Sequence, residues 1–188
     1  MIELVVVVVI ISVFAALATP TVVKQLRDRR VREAAQKVAT VYRQARMRAM
    51  GRGSAVLVRF ADGRVTVLEA QMGARHSDPS CASLPFSSCL DTTWSSADQR
   101  RVVDGFAPAA TGELAALNVA MTDGGGTAVT ALDVCFTPMG RVFSRETVND
   151  AVALQTMTEP YLAEVSGAGL GRTRRVLLLP NGTARPSL

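Results

Sequence analysis

Residues 1–23 read MIELVVVVVIISVFAALATPTVV, an apolar run that decides the N-terminal part of the fold. At about 1.5 Å per residue, a helix from Leu4 to Val23 covers the roughly 30 Å hydrocarbon core of a bilayer. The ionisable group of this run is Glu3, at its very start. Signal peptides begin with basic residues, so an acidic start needs a specific explanation.

Three interpretations of this run are open. The first is an uncleaved single-span anchor whose Glu3 reaches the lipid headgroups. The second is a secretory signal peptide cleaved after Ala16-Leu17-Ala18, although it lacks a basic start and the pattern continues as a helix beyond Ala18. The third is suggested by Ile2-Glu3-Leu4, the valine and isoleucine run and Pro20 near its end, which together resemble the N-terminal helix of type IV pilins and pseudopilins. We favour the third interpretation.

The resemblance carries an expectation about the start of the chain. In type IV pilins the apolar run follows a short basic leader that ends in Gly, and then Phe-Thr-Leu-Ile-Glu. Met1 stands where the family usually has Leu. We therefore expect that a leucine start codon has been read as Met and that the coding sequence begins further upstream, which reading the gene upstream in frame tests.

The helical pattern continues beyond the apolar run. Apolar residues recur at three- to five-residue steps up to the stop signal Gly51-Arg52-Gly53, at Leu26, Val31, Ala34, Val38, Val41, Ala45 and Ala49. One helix from about Ile2 to Met50 would be roughly 70 Å long. We divide it into an apolar part (1–23) and an amphipathic part (24–50), and expect Pro20 to bend or locally unwind it near Ala16.

Residues 54–188 have the pattern of a β-rich domain. Asp62-Gly63 joins two alternating runs, 55–60 and 64–70, and is a strong hairpin signal. Further strands are predicted at 101–106, 114–121, 129–136, 141–143, 161–165 and 174–179, after an irregular stretch from 71 to 101. The predicted fold class is therefore α+β, with a long N-terminal helix packed on an antiparallel β-sheet domain.

Two segments of this domain repeat one pattern. Residues 134–141 (VCFTPMGR) and 176–185 (VLLLPNGTAR) each run from a strand through a Pro-x-Gly turn to an arginine. Behind a pilin-like helix, this doubled pattern resembles the GspH/FimT family of pseudopilins and minor pilins. The resemblance covers the N-terminal helix closely and the C-terminal third moderately.

The cysteines and the charges give opposite indications about the compartment. Cys81 and Cys89 lie close together in a Ser/Pro-rich segment, which predicts a disulfide-stapled loop in an oxidising compartment, with Cys135 left over as a buried thiol. Basic residues directly after the apolar run instead predict a cytoplasmic domain. We give the cysteines and the resemblance more weight. The basic leader that the resemblance implies would carry the cytoplasmic charges that set the orientation, and the charge count of this sequence does not include them.

The sequence contains no catalytic motif. The one histidine, His76, lies in a Ser/Asp/Pro loop without a spaced partner, and Asp123-Gly124-Gly125-Gly126 lacks the Lys-Ser/Thr of a phosphate-binding loop. We predict neither an enzyme nor a cofactor. A zinc site is also not predicted, since no second Cys/His pair has ligand spacing.

The resemblance implies a structural function. A prepilin peptidase would cut the leader, and the subunit would wait in the bacterial inner membrane as a single-span protein with its C-terminal domain in the periplasm. It would then join other pilins or pseudopilins, initiating or capping a type IV pilus or a type II secretion pseudopilus. In the family, the carboxylate at the position of Glu3 pairs with the N-terminal amine of an adjacent subunit.

An alternative function is DNA capture during DNA uptake. The net charge of the chain is +5, and the C-terminal region is basic. Arginine contacts to phosphates would give salt-dependent binding without sequence preference. The candidate residues are Arg172, Arg174, Arg175 and Arg185.

Overall fold

The structure is a computed structural model that describes residues 2–72, 84–107, 117–167 and 173–187. Within the first range, the side chains of residues 2, 12, 13, 15–21, 23 and 27 are outside this description. The chain begins with one helix, α1 (Ile2–Arg52), of 51 residues. At about 1.5 Å per residue its length is about 76 Å.

The end of α1 follows from Gly53. This glycine has a φ of 67°, and its N–H donates to the carbonyl oxygen of Ala49 at 3.1 Å. That bond is the one that closes a helix in the left-handed glycine cap, so the stop signal in the sequence is confirmed. The helix also continues through Pro20 without a break, so the local unwinding predicted near Ala16 is absent, whereas a bend there stays a prediction.

Short strands and one turn of 3-10 helix (Ala97–Gln99) follow the helix. The strands are β1 (Val56–Ala61), β2 (Arg64–Ala70), β3 (Arg100–Phe106), β4 (Leu117–Thr122), β5 (Ala128–Val129), β6 (Ala131–Phe136), β7 (Val142–Arg145), β8 (Gln155–Thr156), β9 (Tyr161–Gly167), β10 (Arg174–Leu178) and β11 (Ala184–Ser187). The predicted strands are confirmed within a few residues where they are described. The two-residue strand β8 and the edge strand β11 were not predicted.

The strands form two antiparallel sheets. The first has the order β3-β2-β1-β6-β7-β8, and the second has the order β11-β10-β9-β4-β5. The predicted α+β class, a long helix with antiparallel β-structure, is therefore confirmed, and its strands are divided between two sheets. Helix α1 contacts β1, β2 and β6 of the first sheet and β9, β10 and β11 of the second.

The main hydrophobic core lies between the helix and the two sheets. Its helical members recur every three or four residues, and they include Val31, Val38, Tyr42, Ala45 and Ala49. Small residues along this face let the helix approach the strands closely. The predicted amphipathic face is thus confirmed, except for Leu26, whose side chain is 48% exposed.

Four hairpin turns show why the strands pair in this register. Asp62 and Gly63 both have positive φ, 50° and 69°, as the predicted two-residue turn requires. The other three are three-residue loops that close on Gly126, Gly140 and Gly182, each with positive φ. In each loop the glycine N–H donates to the carbonyl oxygen three residues earlier, at 3.1, 3.0 and 2.8 Å. The predicted Pro-x-Gly turns are therefore two instances of one hairpin loop.

The disulfide pairing predicted from the sequence is wrong. Cys89 is bonded to Cys135, with the Cα atoms 6.1 Å apart and a sequence separation of 46. Cys135 is therefore not a leftover thiol, and Cys81 lies outside the described residues. The bond attaches the segment that follows residue 84 to strand β6, on the face of the first sheet opposite to α1.

A second hydrophobic cluster explains that attachment. Trp94 is 1% exposed, and its indole N–H donates to the Cys89 carbonyl oxygen at 3.1 Å. The cluster covers the outer face of the first sheet, and its other buried members are Ala55, Leu57, Leu68, Ala70, Cys89, Cys135 and Leu154. The described part of the irregular segment, residues 84–96, therefore covers the sheet and is held by the disulfide and by apolar burial.

Candidate functional site

The N-terminal part of α1 carries a row of exposed apolar side chains. Leu4 is 71% exposed, Phe14 is 68% exposed and Val22 is 51% exposed. Every described side chain from Leu4 to Ile11 is also exposed. An apolar surface of this extent on a single element marks an interaction site.

The burial of α1 changes at one place along the helix. Up to Arg29 no described side chain is fully buried, whereas Val31 has no exposed surface and lies in the main core. Among the described side chains, burial of the helix in the main core therefore begins at about residue 31. The preceding turns carry exposed apolar side chains.

An ion pair marks the place where the helix leaves the domain. The Arg174 guanidinium donates to both carboxylate oxygens of Asp28 at 3.3 Å. Asp28 lies one turn before Val31, and Arg174 is the first residue of β10. The pair therefore attaches the second sheet to the helix at the edge of its buried part.

A second attachment lies at the other end of the buried part of the helix, on the carboxylate of Glu69. Arg48 and Arg52 of α1 and Arg101 of β3 lie 2.8, 2.7 and 2.7 Å from it, and Ser54 donates to it at 2.9 Å. Burial alone raises the pKa of Glu69, but the hydrogen bonds from Arg101, Arg48 and Ser54 outweigh it and lower the pKa to about 2. The carboxylate is therefore ionised at neutral pH and holds the helix end against the first sheet.

A third ionic cluster lies on the outer face of the first sheet. Asp133, which has no exposed surface, stands opposite Arg59 on β1 and opposite Arg145 on β7. Arg145 also donates to Asp150 at 2.6 Å. Burial raises the pKa of Asp150, but hydrogen bonds from Ser95 and Arg145 outweigh it and hold that pKa below its ordinary value. Arg59, Asp133, Arg145 and Asp150 thus form a row of charges, and each buried charge in this row has an opposite charge beside it.

The predicted basic C-terminal region is divided between two faces. Because neighbouring residues of a strand point to opposite faces, Arg174 meets Asp28 on the helix side, whereas Arg175 pairs with Glu164 at 2.6 Å on the other. Arg185 is exposed on β11, and Arg172 lies outside the described residues. The described arginines therefore do not form one continuous basic surface, and DNA binding stays a prediction.

The other sequence predictions are only partly covered by the description. Glu3 lies in the first turn of α1, with an exposed side chain. His76 lies outside the described residues, as does Cys81. Within the described ranges, no group of acidic, cysteine or histidine residues is placed to hold a metal ion. No helix offers a stretch both long and apolar enough to cross a membrane, counting only the residues that the structure describes.

Sequence reasoning did not identify Glu69 or Asp133. Both are acids at buried positions among apolar neighbours, in the strands RVTVLEA and ALDVCF. An acid at such a position is a signal that a basic partner must be close. The identity of the partner depends on the fold, since Arg59 and Asp133 are separated by 74 positions.

Comparison with protein-family models, with curated proteins and with solved structures finds no match to this chain.

Proposed function

We propose that the protein is a minor pilin or pseudopilin, a structural subunit that joins a filament through its N-terminal helix. The observation that carries the proposal is the exposed apolar part of α1 ahead of a buried part held by two sheets. A helix of this kind has an apolar surface that only other apolar groups can cover. In a filament, the helices of neighbouring subunits provide that cover.

The proposal gives Glu3 a role. A carboxylate inside a bundle of apolar helices is costly unless it is paired, so it favours the one axial register in which a positive group lies beside it. We assign this role to the N-terminal amine of the adjacent subunit, following the resemblance of the sequence to type IV pilins. A wrong register would leave the charge without a partner.

The proposed location is the bacterial inner membrane, with the β-rich domain in the periplasm. The disulfide between Cys89 and Cys135 supports an oxidising compartment for the domain, because such bonds rarely persist in the cytosol. Before assembly, lipid acyl chains would cover the apolar part of the helix. A prepilin peptidase would prepare the subunit, and other pilins or pseudopilins would be its partners.

The proposal is tested by comparing Glu3→Ala with Glu33→Ala in the native host. Glu33 is an exposed acid of the same helix, so its substitution removes one negative charge away from the apolar part. The fraction of the subunit in sheared filaments is measured against that in membranes. We expect Glu3→Ala to lower this ratio about tenfold, equivalent to about 1.4 kcal/mol, and Glu33→Ala to leave it unchanged.

One result would contradict the proposed function: the unmodified chain never fractionates with filaments or with other pilin-like subunits after crosslinking. A second result, equal fractionation of Glu3→Ala and Glu33→Ala, would contradict only the register role of Glu3. Near-ultraviolet circular dichroism of both variants checks that the domain stays folded.

A further inference from the structure

The ionic cluster around Glu69 carries a surplus of positive charge. Three guanidinium groups, those of Arg48, Arg52 and Arg101, share this single carboxylate. No other described carboxylate lies within ion-pair distance of them. The cluster therefore holds two positive charges that its own acid does not balance.

The three arginines also have hydrogen-bond donors to spare. Arg48 uses Nε and one terminal nitrogen, Arg52 uses Nε, and Arg101 uses one terminal nitrogen on Glu69. An arginine offers five N–H donors, and within the described residues the remaining ones make no hydrogen bond. These spare donors belong to groups that one buried carboxylate has already brought together.

The cluster is accessible from solvent. The side chain of Glu69 is 3% exposed, whereas those of Arg48, Arg52 and Arg101 are 31, 49 and 48% exposed. Glu69 therefore forms the floor and the guanidinium groups form the rim. Glu69 already holds the three guanidinium groups in place. Ligand binding would therefore cost less side-chain entropy here than at surface arginines that have no such partner.

One carboxylate nearby directs where a ligand would bind. Asp104 lines a cavity of about 340 Å³ beside Arg48, together with Val41, Val67 and Val103. Its charge disfavours an anion on that side, although it forms no ion pair with Arg48.

We propose that the guanidinium groups of Arg48, Arg52 and Arg101 bind a doubly charged phosphate group above Glu69. A phosphate dianion matches the surplus of two charges, and its oxygens fit the paired donors of arginine. A lipid phosphate is unsuited as the source, because Arg52 lies about 40 Å along the helix from the end of the apolar run. The ligand is therefore free phosphate or a soluble phosphomonoester.

The test measures phosphate binding to the full chain in detergent at constant ionic strength. Inorganic phosphate is titrated in the millimolar range and followed by calorimetry and by ³¹P NMR line width, with chloride as the balancing anion. We expect saturable binding that Arg101→Gln and Arg52→Gln each weaken about tenfold, as expected for the loss of a charge-assisted hydrogen-bond pair. Glycerol 3-phosphate, titrated in parallel, distinguishes a phosphomonoester from free phosphate.

Arg141→Gln is the matched control, because Arg141 is exposed at the β6–β7 turn and makes no ion pair among the described residues. Its affinity for phosphate should equal that of the unmodified chain. Equal weakening by Arg141→Gln and Arg101→Gln would show only a general charge effect and would overturn the proposal. The absence of saturable phosphate binding would also overturn the proposal. An acidic peptide, hexaglutamate, tests for a carboxylate ligand: if it binds in an Arg101-dependent way and phosphate does not bind, the site is not a phosphate site.

Discussion

Asp133 accepts two hydrogen bonds of 2.8 Å from the guanidinium of Arg59, across the neighbouring strands β6 and β1. The two residues stand directly opposite each other in the strand register. Asp133 also accepts from Arg145, whose side chain is 4% exposed, so one buried carboxylate serves two guanidinium groups. The charges in this row depend on one another, which makes the row sensitive to the loss of a single member.

Asp133→Ala is expected to lower the free energy of unfolding by about 3 kcal/mol, because it leaves Arg145 buried beside only Asp150. Denaturant unfolding followed by Trp94 fluorescence provides the measurement. Asp98→Ala, which removes an exposed acid, should change stability by less than about 0.5 kcal/mol. Equal effects of the two substitutions would contradict a structural role for the buried row.

Gly182→Ala is expected to be more damaging than Gly140→Ala. Both glycines have a positive φ, 77° and 79°, but a Cβ at Gly182 would lie 2.9 Å from both Phe136 and Val142, whereas Gly140 has open space. The positive φ costs each alanine variant about 1–2 kcal/mol. Overpacking should add about 1–3 kcal/mol to Gly182→Ala alone. The difference between the two unfolding free energies measures this steric term, and a difference near zero would contradict the packing of the last turn against β6 and β7.

Removal of the disulfide by Cys89→Ala with Cys135→Ala should lower the free energy of unfolding by about 2–4 kcal/mol. The loss reflects both the greater freedom of the unfolded chain and the weaker cover over Trp94. Cys81→Ala is the matched control and should leave the bond in place. Peptide mapping without reductant identifies the bonded pair, and a Cys81–Cys89 peptide from the native protein would contradict the structure.

The stability of the protein should fall in acid, in part through Glu69. The pKa of this group is about 2 in the folded state, against an ordinary value of 4.5, so the unfolded chain binds more protons between these values. Its contribution is therefore complete above about pH 5 and is lost as the pH falls toward 2. Glu69→Gln should show a shallower dependence of unfolding free energy on pH in this window. Identical slopes for both proteins would contradict the lowered pKa.

The parts of the fold that local sequence decides were predictable. Asp62-Gly63 specifies a two-residue hairpin because both positions need positive φ, and Gly53 ends the helix for the same reason. The buried face of α1 follows from the helical period of its apolar residues. Each of these features depends on residues within a few positions of one another.

The parts that depend on distant pairing were not predictable. Cys81 is nearer to Cys89 in sequence, but β6 brings Cys135 to the segment that carries Cys89. Strand β11 contains Pro186, which lowers its strand signal, and it is tolerated because β11 is an edge strand. The arginines around Glu69 come from the helix end and from β3, and only the folded chain shows that they converge.

The ion pair between Asp28 and Arg174 has a mechanical consequence. It lies between the exposed part of α1 and the first fully buried residue of the helix, Val31. A sideways force on the exposed part of the helix would load this ion pair. Arg174 would transmit the force to β10 of the second sheet. The hydrogen bonds of β10 to β9 and β11 then distribute the load across strands that lie last in the sequence.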